Sequence, residues 1–159
     1  MLAPSDEVSF QVQVRETRTV AVSLAIALPV VEVQGDDYAR AFAALTAERP
    51  AALLVGAHQY FVRDRKQIIE LAAKYRLPAM YEWREQVLDG GLMSYGTNLH
   101  ALYQRVAAQA DRIFRGVKPG DLPVEQPTRF QLVINLKTAK ALGLTLSPSL
   151  RLQTDELIE

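Results

Sequence analysis

The residues of this chain able to do chemistry collect at three places where a short apolar run ends. His58 and Gln59 follow LLVGA, Glu82 and Trp83 follow PAMY, and Tyr95, Gly96, Thr97 and Asn98 follow GGLMS. Trp83 brings a flat face and an N–H handle suited to a planar or aromatic ligand, or equally to packing in a core or interface. Glu82 is suited to a ligand ammonium in a partly desolvated cleft, or to a solvated ion pair with Arg84. Tyr95, just before a glycine, reads as a ligand donor at a hinge or as the last residue of a strand. Thr97 and Asn98 are helix caps first, and anion binding is a further use of the same N–H groups. His58 as a general base lacks a Ser, a Cys or a second carboxylate at a diagnostic spacing, which leaves an ordinary turn histidine as the plainer reading.

Composition narrows the chemistry further. The chain of 159 residues has no cysteine, which excludes disulfides, thiolate catalysis and thiolate-bound metals. Its two histidines, His58 and His100, are far apart and lack zinc-site spacing. No phosphate loop or nucleophile–base pair appears, so neither a metal nor another cofactor is expected, and an enzyme is not expected. Eighteen basic and eighteen acidic residues cancel, with no basic run, which argues against a nucleic-acid surface.

The elements that must position these residues are read from periodicity. Phe10, Val12 and Val14 alternate with glutamines, predicting a half-buried strand over residues 9–15. Residues 19–28 fit a helix, followed by a strand over 30–33. The apolar run over 20–31 is too short to span a bilayer and sits behind acidic residues, so it reads as a buried element rather than a secretion signal. Asp37 caps a helix carrying Tyr38, Ala41, Phe42 and Leu45, and Arg49-Pro50 stops it. Residues 51–55 form a continuous apolar strand of the kind covered by helices on both faces. Asp64 opens a helix whose Ile68, Ile69, Leu71, Ala72 and Tyr75 make one buried stripe.

Residues 79–81 give another strand and 92–95 a further one, broken at Gly96. An amphipathic helix then runs from Leu99 and closes at Gly116. Pro119, Pro123 and Pro127 make an extended surface crossing. Phe130, Leu132 and Ile134 alternate as the last strand, Asn135 caps a helix stopped at Gly143, and Pro148 begins a final short one. Strand and helix alternate at roughly 25-residue spacing, which predicts a single α/β domain with a doubly wound parallel sheet sandwiched by helices. In such a sheet all three turns lie at the carboxyl edge, where ligands bind.

Three stretches, ELAAKYRLPAMYEWRE, GGLMSYGTNLHALYQR and LPVEQPTRFQLVINLKTAKALGL, closely resemble the C-terminal half of the ABC-type uncharacterised transport substrate-binding family. Its better-known members are tryptophan or aromatic amino-acid receptors. The likeness runs over residues 20–159. It implies one lobe of a type I periplasmic binding protein, in which two lobes close on a small solute and deliver it to an ABC permease. It also implies hinge crossings near residues 93–98, with Gly96 as hinge, and near 128–135, and it places the helix of residues 99–116 in the other lobe. The ligand would then meet His58, Gln59, Glu82, Trp83, Tyr95, Thr97 and Asn98. A periplasmic location follows by resemblance, while the residues themselves show no convincing signal and leave the cytoplasm open.

A usual member is longer and has a complete first lobe. Against that pattern the lobe here is expected to lack its own first strand, which is central in a doubly wound sheet. Unpaired buried backbone groups cost roughly 1 to 3 kcal/mol each, so the gap needs filling. Either the segment of residues 1–19 supplies a substitute strand through residues 9–14, or a second copy does so in a homodimer. The alternative function is a truncated, self-associating interaction or regulatory domain that has lost ligand binding.

Overall fold

The computed structural model describes residues 1–4, 8–127 and 129–159. Thr128, at the start of one expected crossing, and residues 5–7 of the N-terminal segment lie outside the described residues. The chain runs β1 (Leu2–Pro4), α1 (Val8–Ser23), β2 (Val31–Val33), α2 (Tyr38–Ala47), β3 (Leu53–Leu54), α3 (Gln59–Arg63), α4 (Arg65–Lys74), β4 (Ala79–Tyr81) and α5 (Arg84–Leu88). Then follow β5 (Met93–Thr97), α6 (Leu99–Phe114), β6 (Phe130–Asn135), α7 (Leu136–Ala141), α8 (Pro148–Gln153) and β7 (Glu156–Ile158).

The first strand is present after all. β1 pairs in parallel with β2, Leu2 opposite Val31, and bridges in parallel to Val55 just after β3. The Gly56 amide donates to the Leu2 carbonyl at 3.2 Å and the Val31 amide to the Met1 carbonyl at 2.9 Å. β3, β4 and β5 continue in parallel. Among the described residues the strands therefore stand in the order β2, β1, β3, β4, β5, β6, β7, a mostly parallel α/β sheet flanked by helices. Two features depart from the all-parallel expectation. β6 runs antiparallel to β5, and β7 extends the sheet beyond the strand expected to be last.

Residues 9–15 are not a strand; they lie in α1. The alternation of Phe10, Val12 and Val14 is real, but the inward face follows helical spacing. Phe10 and Ala21 are buried, Gln13, Val14 and Thr17 are half-buried between them, and Val12 points outward. The apolar run that follows is largely exposed over residues 22–27. α1 ends at Ser23, and Val20, Val22, Leu24 and Ile26 are all exposed, so the helix expected over 19–28 occupies only its first part.

The core forms where successive β1 residues serve opposite faces. Leu2 packs with Tyr38, Phe42 and Leu45 of α2, Ile68 of α4, and Phe61. Met1 and Ala3 pack with Phe10 of α1. Asp37 caps α2, accepting from the Arg40 amide at 3.1 Å, as its position predicts. Asp64 precedes α4 without capping it, because its carboxylate is taken by the Tyr38 hydroxyl at 2.7 Å and by the Arg63 guanidinium.

β5 is unbroken at Gly96 and continues to Thr97. The glycine is there for space: its φ lies outside the left-handed region, and a Cβ would run into the Glu82 carbonyl oxygen. α6 has an amphipathic sequence and no buried residue. Among the described residues no helix is long and apolar enough to cross a membrane.

Because Leu2 is fully buried at the joint between β2 and β3, Leu2→Ala should lower unfolding stability by about 2 to 5 kcal/mol in urea titration. Val12→Ala, on the exposed side of α1, should change it by less than about 0.5 kcal/mol. Equal effects would mean that β1 is not the central strand.

Candidate functional site at the strand ends

The first turn is held from below by α1. The Phe10 ring fills the space where a Cβ on Gly56 would stand, and Gln13 Oε1 accepts from the Ala57 amide at 3.0 Å. His58 then caps α3, its Nδ1 accepting from the Tyr60 amide at 3.3 Å, with its ring edge-on to Tyr60 and Phe61. The second turn is tied to the first by a residue that sequence reasoning missed. Gln86 is buried; its Oε1 accepts from the Trp83 amide at 2.9 Å and its Nε2 reaches the Phe61 carbonyl at 3.5 Å. The signal for it was available, because a Gln three residues into a helix is the half of a capping box that satisfies the cap residue's own amide.

With α3 and α5 so fixed, His58, Gln59, Glu82 and Trp83 share one open depression of about 520 Å³, walled on its apolar side by Val62 and Leu99. That volume is in the range of small-molecule sites. Arg84 is not the partner of Glu82. It makes a two-pronged bridge to Glu156, with both N–O distances 2.6 Å, tying α5 to the edge strand β7. Arg65, also on the depression, binds Asp89 at 2.6 Å and the Val62 carbonyl at 3.1 Å. Burial pushes the Glu82 carboxyl above its ordinary value, opposed in part by a hydrogen bond from the Trp83 side chain.

The third turn stands apart. Tyr95 is half exposed and stacks on Phe130 across the β5–β6 pair, ring centres 5.6 Å apart. Thr97 and Asn98 line a separate concavity of about 270 Å³ with Arg105, Arg129, Gln131 and Asp155. Both ends of the Asn98 amide are in use. Its Oδ1 caps α6 through the Ala101 amide at 3.0 Å, and its Nδ2 donates to Gln131 Oε1 at 3.1 Å, fastening the end of β5 to the start of β6. Four of the seven candidate residues are thus brought together, and Leu99, the first residue of α6 after the third turn, also lines the depression. Among the described residues no cluster of His, Asp and Glu could hold a metal ion.

The raised Glu82 carboxyl has a consequence for stability. The folded chain holds that proton more tightly than the unfolded one, so ionised Glu82 destabilises the fold at neutral pH and stability returns as pH falls through its folded value. Glu82→Gln should therefore melt above the parent at neutral pH, with the gap closing on acidification. A variant that melts lower at neutral pH would show that Glu82 serves the fold.

Several solved structures have a similar fold. An ABC domain in complex with L-Trp from Streptococcus pneumoniae has a TM-score of 0.87 at 23% identity, the match covering 99% of this chain and 55% of that one. A conserved domain protein from Vibrio cholerae has a TM-score of 0.81 at 21% identity, covering 98% and 53%. A ligand-free, open substrate binding protein with adhesive properties from Clostridium difficile has a TM-score of 0.65 at 19% identity, covering 99% and 52%. The chain spans about half the length of each of these proteins. No curated protein matches it. The family described as ABC transporter substrate binding protein matches over residues 1–158. Because this match runs along nearly the whole chain, the chain belongs to the ABC transporter substrate binding protein family.

Proposed function

We propose that this chain is a lobe of the solute-binding component of an ABC importer. It takes an amino acid or similar small organic solute at the ends of its parallel strands and passes it to a membrane permease, in the periplasm, without catalysing a reaction. The observation that carries this reading is the depression in which His58, Gln59, Glu82 and Trp83 converge beyond β3 and β4, on a chain of a substrate-binding family. The L-Trp complex of the Streptococcus protein supports the solute class. Tyr95, Thr97 and Asn98 join the site when a second body closes over the strand ends, and closure follows because the ligand's contacts favour the closed state.

The hinge crossings proposed at residues 93–98 and 128–135 are supported by α6, which lies between them in the chain. Tyr103 is 68% exposed, Val106 55% and Phe114 87%, an apolar stripe left open by the described residues. In the proposed arrangement a second lobe covers that stripe, supplied by a longer form of the protein or by another copy in a homodimer. The same stripe favours the second reading, a self-associating interaction or regulatory domain without a ligand.

A thermal melt against a panel of amino acids and small organic acids, with light scattering on the same sample, separates the two. A ligand at 100-fold its dissociation constant should add about 2.7 kcal/mol, a shift of several degrees at this size. The shift should be lost in Trp83→Ala. A flat panel with a stable dimer would favour the interaction domain.

A further inference from the structure

Between α4, α7 and the turn that leads into β5 lies a further cavity of about 240 Å³, which shares no lining residue with the depression. Ile69, Ala72, Leu77, Leu92 and Leu142 give it mostly apolar walls. The fold holds those walls in place, since the Thr138 hydroxyl of α7 donates to the Gly90 carbonyl at 2.9 Å. Tyr81 forms the inner end. It is 2% exposed, and Gly91 lies against its ring, where an added Cβ would meet Cε2 at 2.8 Å. The Tyr38 hydroxyl donates to Asp64, whereas the Tyr81 hydroxyl has no hydrogen-bond partner among the described residues. No buried side-chain oxygen among them is sealed off without a partner, so the Tyr81 hydroxyl opens onto the cavity that Tyr81 lines. Burial also pushes its pKa above the ordinary phenol value, which keeps it a donor at neutral pH.

The rim has the opposite character. Arg76, exposed just beyond α4, reaches the Ala141 carbonyl at the end of α7 at 3.5 Å and keeps its other N–H donors for further use. Lys137, exposed on α7, lines the same cavity. Neither cation is bridged to a carboxylate among the described residues, and no Asp or Glu lines the cavity.

We infer that this cavity is a second small-molecule site, which takes a single-ring carboxylic acid with a hydroxyl or carbonyl oxygen at its far end: the carboxylate meets Arg76 and Lys137, and the far oxygen meets the Tyr81 hydroxyl. Charge-assisted hydrogen bonds at the rim hold the anion. The buried hydroxyl sets the selectivity, because an acid without the far oxygen leaves it unpaired. The space is smaller than a drug-sized pocket and suits one ring.

The probe is 4-hydroxybenzoate, compared with 4-methylbenzoate, which lacks the far oxygen, and 4-hydroxybenzyl alcohol, which lacks the carboxylate. Calorimetry gives the affinity and amide NMR the location. The expected result is saturable binding of 4-hydroxybenzoate with shifts at Gly90, Gly91, Leu92 and Thr138, His58 and Trp83 staying in place, and both comparison compounds at least about threefold weaker. Tyr81→Phe, which keeps the ring, should weaken 4-hydroxybenzoate roughly three- to tenfold and leave 4-methylbenzoate unchanged. Arg76→Gln combined with Lys137→Gln should weaken it roughly ten- to hundredfold. Circular dichroism on each variant confirms its fold. No saturable binding up to about 5 mM, or an unchanged affinity in Tyr81→Phe, would overturn the inference and leave the depression untouched. Shifts centred on His58 and Trp83 would overturn it too, while supporting the depression as the solute site.

Discussion

Leu2 is the joint on which the sheet depends. It pairs with Val31 on one side and with Val55 on the other, and its side chain is fully enclosed by α2, α4 and Phe61. Without it the sheet would divide into a strand at one side and the β3 to β7 group at the other, each with an unpaired row of backbone amides and carbonyls facing the core. On the opposite face Ala3 of β1 and the preceding Met1 pack with Phe10 and so dock α1. α1 in turn supports Gly56 and Ala57, so the first strand of the sheet and the first turn of the site are parts of one packing unit.

Parallel pairing does the rest of the positioning. Since β3, β4 and β5 run the same way, their ends and the helices that follow fall on one edge of the sheet, and the residues after each strand become neighbours. What separates neighbours from a site is the fine spacing between those ends. Gln86 couples the turn before α5 to α3, Gly96 lets β5 lie against the Glu82 backbone, and Arg84 bridges to Glu156 on β7. Burial in the depression pushes the Glu82 carboxyl toward protonation, which works against the fold at neutral pH.

The sequence made the long-period features plain and hid the short ones. α2 was legible from Asp37 and the spacing of Tyr38, Ala41, Phe42 and Leu45, and α4 from the stripe of Ile68, Ile69 and Ala72, because several turns of helix repeat the signal. β1 was not, since three residues carry no period, and its absence from the reading created a gap that the protein does not have. The first half of α1 was mistaken for a strand because Phe10, Val12 and Val14 alternate over a stretch too short to distinguish two periods, while its inward face is half polar. β7 escaped notice as a short, partly exposed edge strand. In the site, the places of His58, Gln59, Glu82, Trp83 and Asn98 beyond strands were legible, whereas Tyr95 lies within β5 and Thr97 is its last residue. That four share one depression while Asn98 is spent on Ala101 and Gln131 is tertiary information that no local pattern holds.

The central claim of the account is that the edge formed by the turns after β3 and β4, with the start of α6, is where a solute meets this chain. The most direct test is a two-dimensional amide NMR titration of the labelled protein with an aromatic amine. The account predicts shifts concentrated at Ala57, His58, Gln59, Glu82, Trp83 and Leu99. Shifts centred instead on the groove between α1 and β2, lined by Gln11, Arg15, Arg18 and Glu32, or spread evenly over the sheet, would contradict it.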